Sequence, residues 1–299
     1  MAKLSFQDQI SRNKRDSTIL AVVIFLVLFA LIYVIARIFF GAFSTFFLVV
    51  AIALIIPYIY VTYNFGDQVV LSATNAVQAD PQRDVYLVNT VEGLSIAAGV
   101  PPPKVYIVQS SEINAFATGK DPEHASIAVT TGALQNLRRD ELEGVVAHEI
   151  SHVRNLDTRF MTEVAVMVGL IAILSHGLLR SYWFSGSGRR SDRDRERIGI
   201  FVVIGLVLAV VSPIIVRLVQ SAISRRRELL ADSSSVELTR YPEGLALALE
   251  KILKMNRGNM NVSEGMSHLF FVDPNSSPLD ALYATHPPLE RRIQILRSM

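Results

Sequence analysis

Four long apolar runs constrain this chain more than any other feature of it. The first two, Thr18 to Ala36 and Phe43 to Val61, each approach the ~20 residues a helix needs to cross a hydrocarbon core of about 30 Å. The first is too long for the apolar part of a signal peptide. Behind it, Arg37-Ile38-Phe39-Phe40 offers no small-residue cleavage site, so it reads as a retained anchor. Only Arg37 to Ala42 separates the pair, which makes them a helical hairpin. Ile198 to Val216 is another strong spanning candidate, because membrane helices tolerate a proline such as Pro213. Val164 to Leu179 is shorter and carries Ser175 and His176; it reads as a fourth span, with a buried core helix as the competing possibility. Between these two, Ser185 to Arg197 reads as a solvated loop. Composition agrees, with 51% hydrophobic residues and a mean hydropathy of +0.36.

The runs divide the chain into an N-terminal hairpin (1–63), a first polar stretch (64–158), a second hairpin (159–220) and a second polar stretch (221–299). Asp80 to Gly99 has apolar residues at mostly helical spacing, ended by Pro101-Pro102-Pro103. Three short strand-like runs follow, Lys104 to Val108, Asn114 to Thr118 and Ser126 to Thr130. Asp140, three residues before Glu143, has the spacing of a capping box ahead of a new helix. Ser221 to Met299 reads as helical with a break at Tyr241-Pro242. The expected fold class is α+β: a mainly helical membrane protein with four transmembrane helices and a small sheet.

The helix from Asp140 carries His148-Glu149-Ile150-Ser151-His152. Residues four apart share a helix face, so both imidazoles can reach one ion, with Glu149 beside them to take a proton from metal-bound water. A catalytic zinc site needs three protein ligands and an open position. The chain contains no cysteine, so the third must be His, Asp or Glu. Glu228 is the candidate, and Asp232, one turn on, is placed to accept the spare N–H of a ligating histidine. Asp157 is a second candidate for that supporting role. Zinc is inferred from ligand type, one ion per chain.

The histidines precede the third run and Glu228 follows the fourth, so an even number of crossings returns them to one side. Lys3, Arg12, Lys14 and Arg15 outnumber Arg37 across the first run, which places the N-terminus and the catalytic segments in the cytoplasm. The Arg-rich loop from Arg180 to Arg197 opposes that rule, with Asp192, Asp194 and Glu196 partly offsetting it. A helix continuing from His152 to Phe160 would rise only ~12 Å, so the site lies close to the lipid bilayer. The net charge of +2 does not point to a nucleic-acid partner.

With these pieces assembled, the chain resembles the HtpX-type membrane metallopeptidases, relatives of the CAAX prenyl endopeptidases. The resemblance rests on Asn114 to Gly119, His148 to His152, Glu228 to Asp232 and His286-Pro287-Pro288-Leu289-Glu290-Arg291-Arg292, in that order, and covers nearly the whole chain. It implies a zincin-type catalytic domain with Glu228 as third ligand. It also implies that Asn114, Ala115 and Phe116 form the edge strand against which an extended substrate pairs. His286 and Arg292 would be the family's C-terminal catalytic pair, with the histidine at the oxyanion. Quality-control cleavage of misfolded or damaged membrane proteins, in a bacterial inner membrane, follows from the same resemblance. Leu229 departs from it, since relatives often carry an aromatic there. The competing readings are a prenyl-protein peptidase and a catalytically silent membrane scaffold. His124, His176 and His268 lack partners at ligand spacing and read as surface or core residues, and Arg225 to Arg227 as interface anchors.

Overall fold

The structure is a computed structural model that describes residues 44–166, 225–260, 262–275 and 287–299, with Arg15 and Val22 ahead of them. Helix α1 (Ser44–Ala73) leads into a two-residue strand β1 (Val77–Gln78), helix α2 (Val85–Ala98) and strands β2 (Lys104–Val108), β3 (Ala115–Thr118) and β4 (Ser126–Thr130). Helices α3 (Thr131–Asn136) and α4 (Arg139–Arg154) follow, and α5 occupies 157–166. The second polar stretch supplies α6 (Arg225–Thr239), α7 (Pro242–Met255), a 3-10 turn (Glu264–Leu269) and α8 (Leu289–Arg297).

The sheet has the order β1-β2-β4-β3. β2 and β4 pair in parallel from Lys104↔Ser126 to Val108↔Thr130, whereas β3 runs antiparallel to β4 from Ala115↔Val129 to Thr118↔Ser126. Side chains alternate across a strand, so the sheet separates two apolar clusters. Ala115, Ala117, Ile127 and Val129 face Val145, Val146, Ile150 and Leu249 of α4 and α7. Phe116 and Ala128 face the other way, onto Val70 and Leu71 of α1 and Phe160 and Met161 of α5. The two polar stretches thus share one core.

Two helix starts differ from the sequence expectation. α2 begins at Val85, five residues late, because Asp80 is used in a turn: its carboxylate accepts from Gln82 N–H at 2.8 Å and its N–H donates to Asp84 at 2.9 Å. The helix ends at Gly99, whose φ of 71° suits a left-handed cap. The start of α4 uses Glu141 and not the Asp140/Glu143 pair. Glu141 accepts from the backbone N–H of Arg138 and from Lys251 Nζ of α7, both at 2.6 Å. A Cβ on Gly144 would meet the Leu245 backbone at 2.8 Å, so glycine there lets α4 and α7 cross closely.

Among the described residues no helix is long and apolar enough to cross a membrane, and the expectation of four spans is not confirmed. From Ser44 onward the run Phe43 to Val61 falls in the first part of α1, a continuous helix of 30 residues that contains Pro57, where most side chains are outside the described set. Thr18 to Ala36, Ile198 to Val216 and all of Val164 to Leu179 beyond Val166 also lie outside it, as do His176 and the loop Ser185 to Arg197. The expected continuous rise from His152 to Phe160 is corrected: α4 stops at Arg154, Leu156 takes a φ of 61°, and a new helix begins at Asp157.

Candidate active site

Helix α4 presents His148 and His152 one turn apart, and α6 brings Glu228 against them. Ligand atoms of all three lie within 4.8 Å of one another, and all three residues are buried. His148 Nε2 is 3.1 Å from His152 Nε2 and 3.7 Å from Glu228 Oε2, and His152 Nε2 is 3.6 Å from Glu228 Oε1. A tetrahedral ion with ligand bonds of about 2.1 Å has edges of about 3.4 Å, so this triangle fits zinc. The other ring nitrogens decide the tautomers. His148 Nδ1 lies 3.0 Å from Asp232, and His152 Nδ1 lies 3.2 Å from Asp157. Each Nδ1–H is best assigned as a donor to its carboxylate, which turns two Nε2 lone pairs toward each other. A positive charge shared between them, a metal ion or a proton on one ring, makes that approach favourable.

The field of the site points the same way. Burial pulls the His152 pKa down, but the Asp157 hydrogen bond and the charges of Glu228, Asp157 and Glu149 outweigh it and raise the value to about 9. The pocket favours positive charge. Asp232 behaves oppositely: burial pushes its carboxyl up, yet Arg292 and His148 hold it down at about 2. Glu149 is buried, and its charge also acts on Arg292, which puts it in electrostatic reach of both arms of the site.

Arg292, expected as half of a catalytic pair, is fully buried and grips Asp232 through Nε at 2.9 Å and Nη2 at 2.7 Å. Its place is behind His148, holding the carboxylate that holds the ligand. Its expected companion His286 lies outside the described residues. Arg227, expected as an interface anchor, instead reaches Asp157 at 3.4 Å and stacks over Phe160. Phe271 had no signal at all: its ring packs edge-on against His148, centroids 4.8 Å apart, and beneath the Arg292 guanidinium. Asn114, Ala115 and Phe116 are brought beside α4, buried to 1% exposure or less. His268 is buried and bonds Met161 C=O at 3.0 Å, while His124 pairs with Asp121 at the surface. A cavity of about 440 Å³ between the end of α1 and Asn259–Met266 is lined by none of the predicted site residues.

The model of peptidase family M48 matches residues 81–299, a span that takes in every part of this site. The chain belongs to that family. Two relatives are similar along their whole length, both described as "Protease HtpX homolog". The protein of Caldanaerobacter subterraneus subsp. tengcongensis is 43% identical over 301 residues, covering 100% of this chain and 99% of the relative. That of Dictyoglomus turgidum is 42% identical over 301 residues, covering 100% and 96%. A looser likeness, at 19% identity and a TM-score of 0.48, is to the crystal structure of S. mikatae Ste24p, over 96% of this chain and 67% of that one. As an M48 peptidase, the chain is a zinc metalloendopeptidase, with His148, His152 and Glu228 fitted to hold the ion.

Proposed function

We propose that this M48 peptidase is embedded in a membrane, faces the cytoplasm and cuts misfolded or damaged membrane polypeptides at the bilayer surface. The observation that carries the proposal is the position of the metal triangle. Asp157, in contact with His152, is the first residue of the helix that enters the apolar run Val164 to Leu179. Near the same level, Tyr63 is flanked by Lys120 and Arg159 at 5.6 and 5.0 Å, and Tyr60 and Phe65 are exposed beside it. Aromatic and basic residues grouped in this way suit a headgroup region. The division into two spanning hairpins (1–63 and 159–220) and two polar stretches (64–158 and 221–299) that share the catalytic core belongs to the same proposal.

Bound zinc supplies a polarised carbonyl and a water acidic enough to lose a proton near neutrality. Glu149 takes that proton. Asp232 and Asp157 hold the two imidazoles in the ligating tautomer, and Arg292 positions Asp232. Asn114, Ala115 and Phe116 offer a strand edge to an extended substrate, and His286 is assigned to the oxyanion. The likeness to the two HtpX homologues supports membrane residence and the quality-control role.

The test uses detergent-purified full-length protein. Glu149→Gln should keep about one zinc per chain by elemental analysis while cleavage of casein falls by roughly 10²–10⁴-fold. Equal cleavage by the variant refutes the role of Glu149. In liposomes, a destabilised membrane protein should be cut in preference to its folded form. No preference between the two refutes the quality-control proposal.

A further inference from the structure

β3 ends its sheet, so only its far edge can receive another strand. In an antiparallel strand alternate residues turn their N–H and C=O outward. Here they are Ala115 and Ala117, because Asn114 C=O accepts from Thr130 of β4 at 3.0 Å. The chain itself already takes that edge. Phe271 N–H donates to Ala115 C=O at 2.8 Å, and Phe270 forms an antiparallel bridge with Phe116. The Asn114 side chain extends the pairing: Oδ1 accepts from Val272 N–H at 3.2 Å and Nδ2 donates to Val272 C=O at 2.9 Å. Arg292 Nη1 donates to Phe271 C=O at 3.4 Å. An extended segment thus lies along the strand beside the metal site, one side chain against a ligating imidazole.

This segment belongs to a loop tied at its neck. Met260 N–H donates to Pro274 C=O at 3.1 Å, and the Asn275 side chain accepts from Val262 N–H at 2.9 Å. The segment lies after the end of α7 at Met255 and before α8 at Leu289, and its release from the sheet uncovers Phe270, Phe271 and Val272, which the two apolar clusters bury.

We infer that Phe270–Val272 is an internal stand-in for substrate, which keeps the β3 edge closed until an extended polypeptide displaces it. The inference rests on the proposed pairing of substrate with β3 and names its substrate class. The space that Phe271 fills, walled by the His148 imidazole and the Arg292 guanidinium, suits a bulky apolar residue. Segments with such residues in extended form, as in an unfolded membrane protein, compete best for the edge.

Hydrogen exchange on zinc-loaded, full-length Glu149→Gln in detergent, with and without unfolded casein, tests the displacement without requiring turnover. The Phe271 and Val272 amides should exchange at least tenfold faster when casein is bound, while Ala128 in β4 stays protected. Unchanged protection of the segment with casein bound overturns the inference. A second test exploits the absence of native cysteine. Phe116 and Phe270 face each other between hydrogen-bonded positions, where Cα atoms lie about 4.5 Å apart, within disulfide range. The Phe116→Cys/Phe270→Cys protein, oxidised, should cleave casein at least tenfold more slowly than the same preparation reduced. Equal rates, with the cross-link verified by mass, overturn the inference. Failure of the unsubstituted protein to cleave at all would instead strike the proposed function, and the exchange experiment would still decide the segment.

Discussion

The two ligating histidines are supported by the same device built to different tolerances. Behind His148, Asp232 is 3.0 Å away and is gripped at 2.7 and 2.9 Å by Arg292, with the whole relay at 1% exposure or less. Behind His152, Asp157 is 3.2 Å away, and Arg227 reaches it at 3.4 Å with its side chain 12% exposed. The first relay is a bidentate pair inside the packed core, where removing water strengthens both attraction and penalty. The second is assembled from the start of α5, which enters an apolar run, and the start of α6, which follows one. One relay is therefore sealed inside the core that both polar stretches share, and the other sits at the edge of that core, where its outer cation reaches solvent.

The largest expected effect tests the rigid side. Asp232→Asn leaves Arg292 as a buried cation without its anion, a change that costs about 3–5 kcal/mol. Zinc affinity should also fall by roughly 10–100-fold, because the carboxylate that accepts from His148 Nδ1–H becomes a neutral amide, a weaker acceptor with one oxygen replaced by a donor. Thermal melts of metal-loaded and metal-stripped protein separate the two losses. A variant as stable as the parent would show that the buried pair is not the constraint it appears in the structure.

Asp157→Asn is the matching change on the other side and should be milder for the fold. Its cation neighbour has access to solvent, so the stability loss should stay near 1–2 kcal/mol. Zinc affinity should fall by about tenfold. If competition with a chelator finds Asp157→Asn as damaging to stability as Asp232→Asn, the contrast between the relays is wrong.

How much of this was legible in the residues follows from distance along the chain. The metal helix, its two histidines and the Glu228-to-Asp232 turn were readable because four-residue spacing is a local geometric rule. The three longer strands were also legible, within a residue of their ends, from β-rich runs bounded by turn residues. The partners of Arg292 and Arg227 were not, since 60 and 70 residues separate each pair and no periodicity links them. The segment at Phe271 was hidden for the same reason: an apolar run predicts burial and says nothing about which edge it covers. The cap of α4 was missed by one residue, because Asp140 and Glu141 both satisfy a first-turn acid and only the backbone shows which one reaches back.

Proton linkage offers a weaker handle on the looser side. In metal-stripped protein His152 has its pKa raised to about 9 from an ordinary value near 6.5. Its proton therefore stabilises that form fully below pH ~6.5, and the contribution is lost as pH rises through about 9. Zinc must displace the same proton, so its affinity should rise by up to about tenfold per pH unit across that window. The gain in melting temperature on adding zinc should be larger at pH 8.5 than at pH 6.5. Calorimetry in buffers of different ionisation enthalpy should find about one proton released per zinc at pH 7.5. No release would mean that His152 is already neutral there, and that the carboxylates do not set its charge.

The smallest effect belongs to Arg227. Replacing it by glutamine keeps a donor near Asp157 but removes the charge and the stacking on Phe160, leaving the primary contact between Asp157 and His152 in place. Zinc affinity should fall only about two- to fivefold, well under the effect of losing Asp157 itself. The informative readout is the ratio of the two losses. If Arg227→Gln matches Asp157→Asn in chelator competition, the guanidinium sets the position of the carboxylate, and the outer relay is as tightly built as the inner one despite its longer contacts. If Arg227→Gln alters zinc binding in detergent but not in lipid vesicles, the bilayer rather than this ion pair holds α5 and α6 together, and His152 is placed by the membrane-facing halves of the chain.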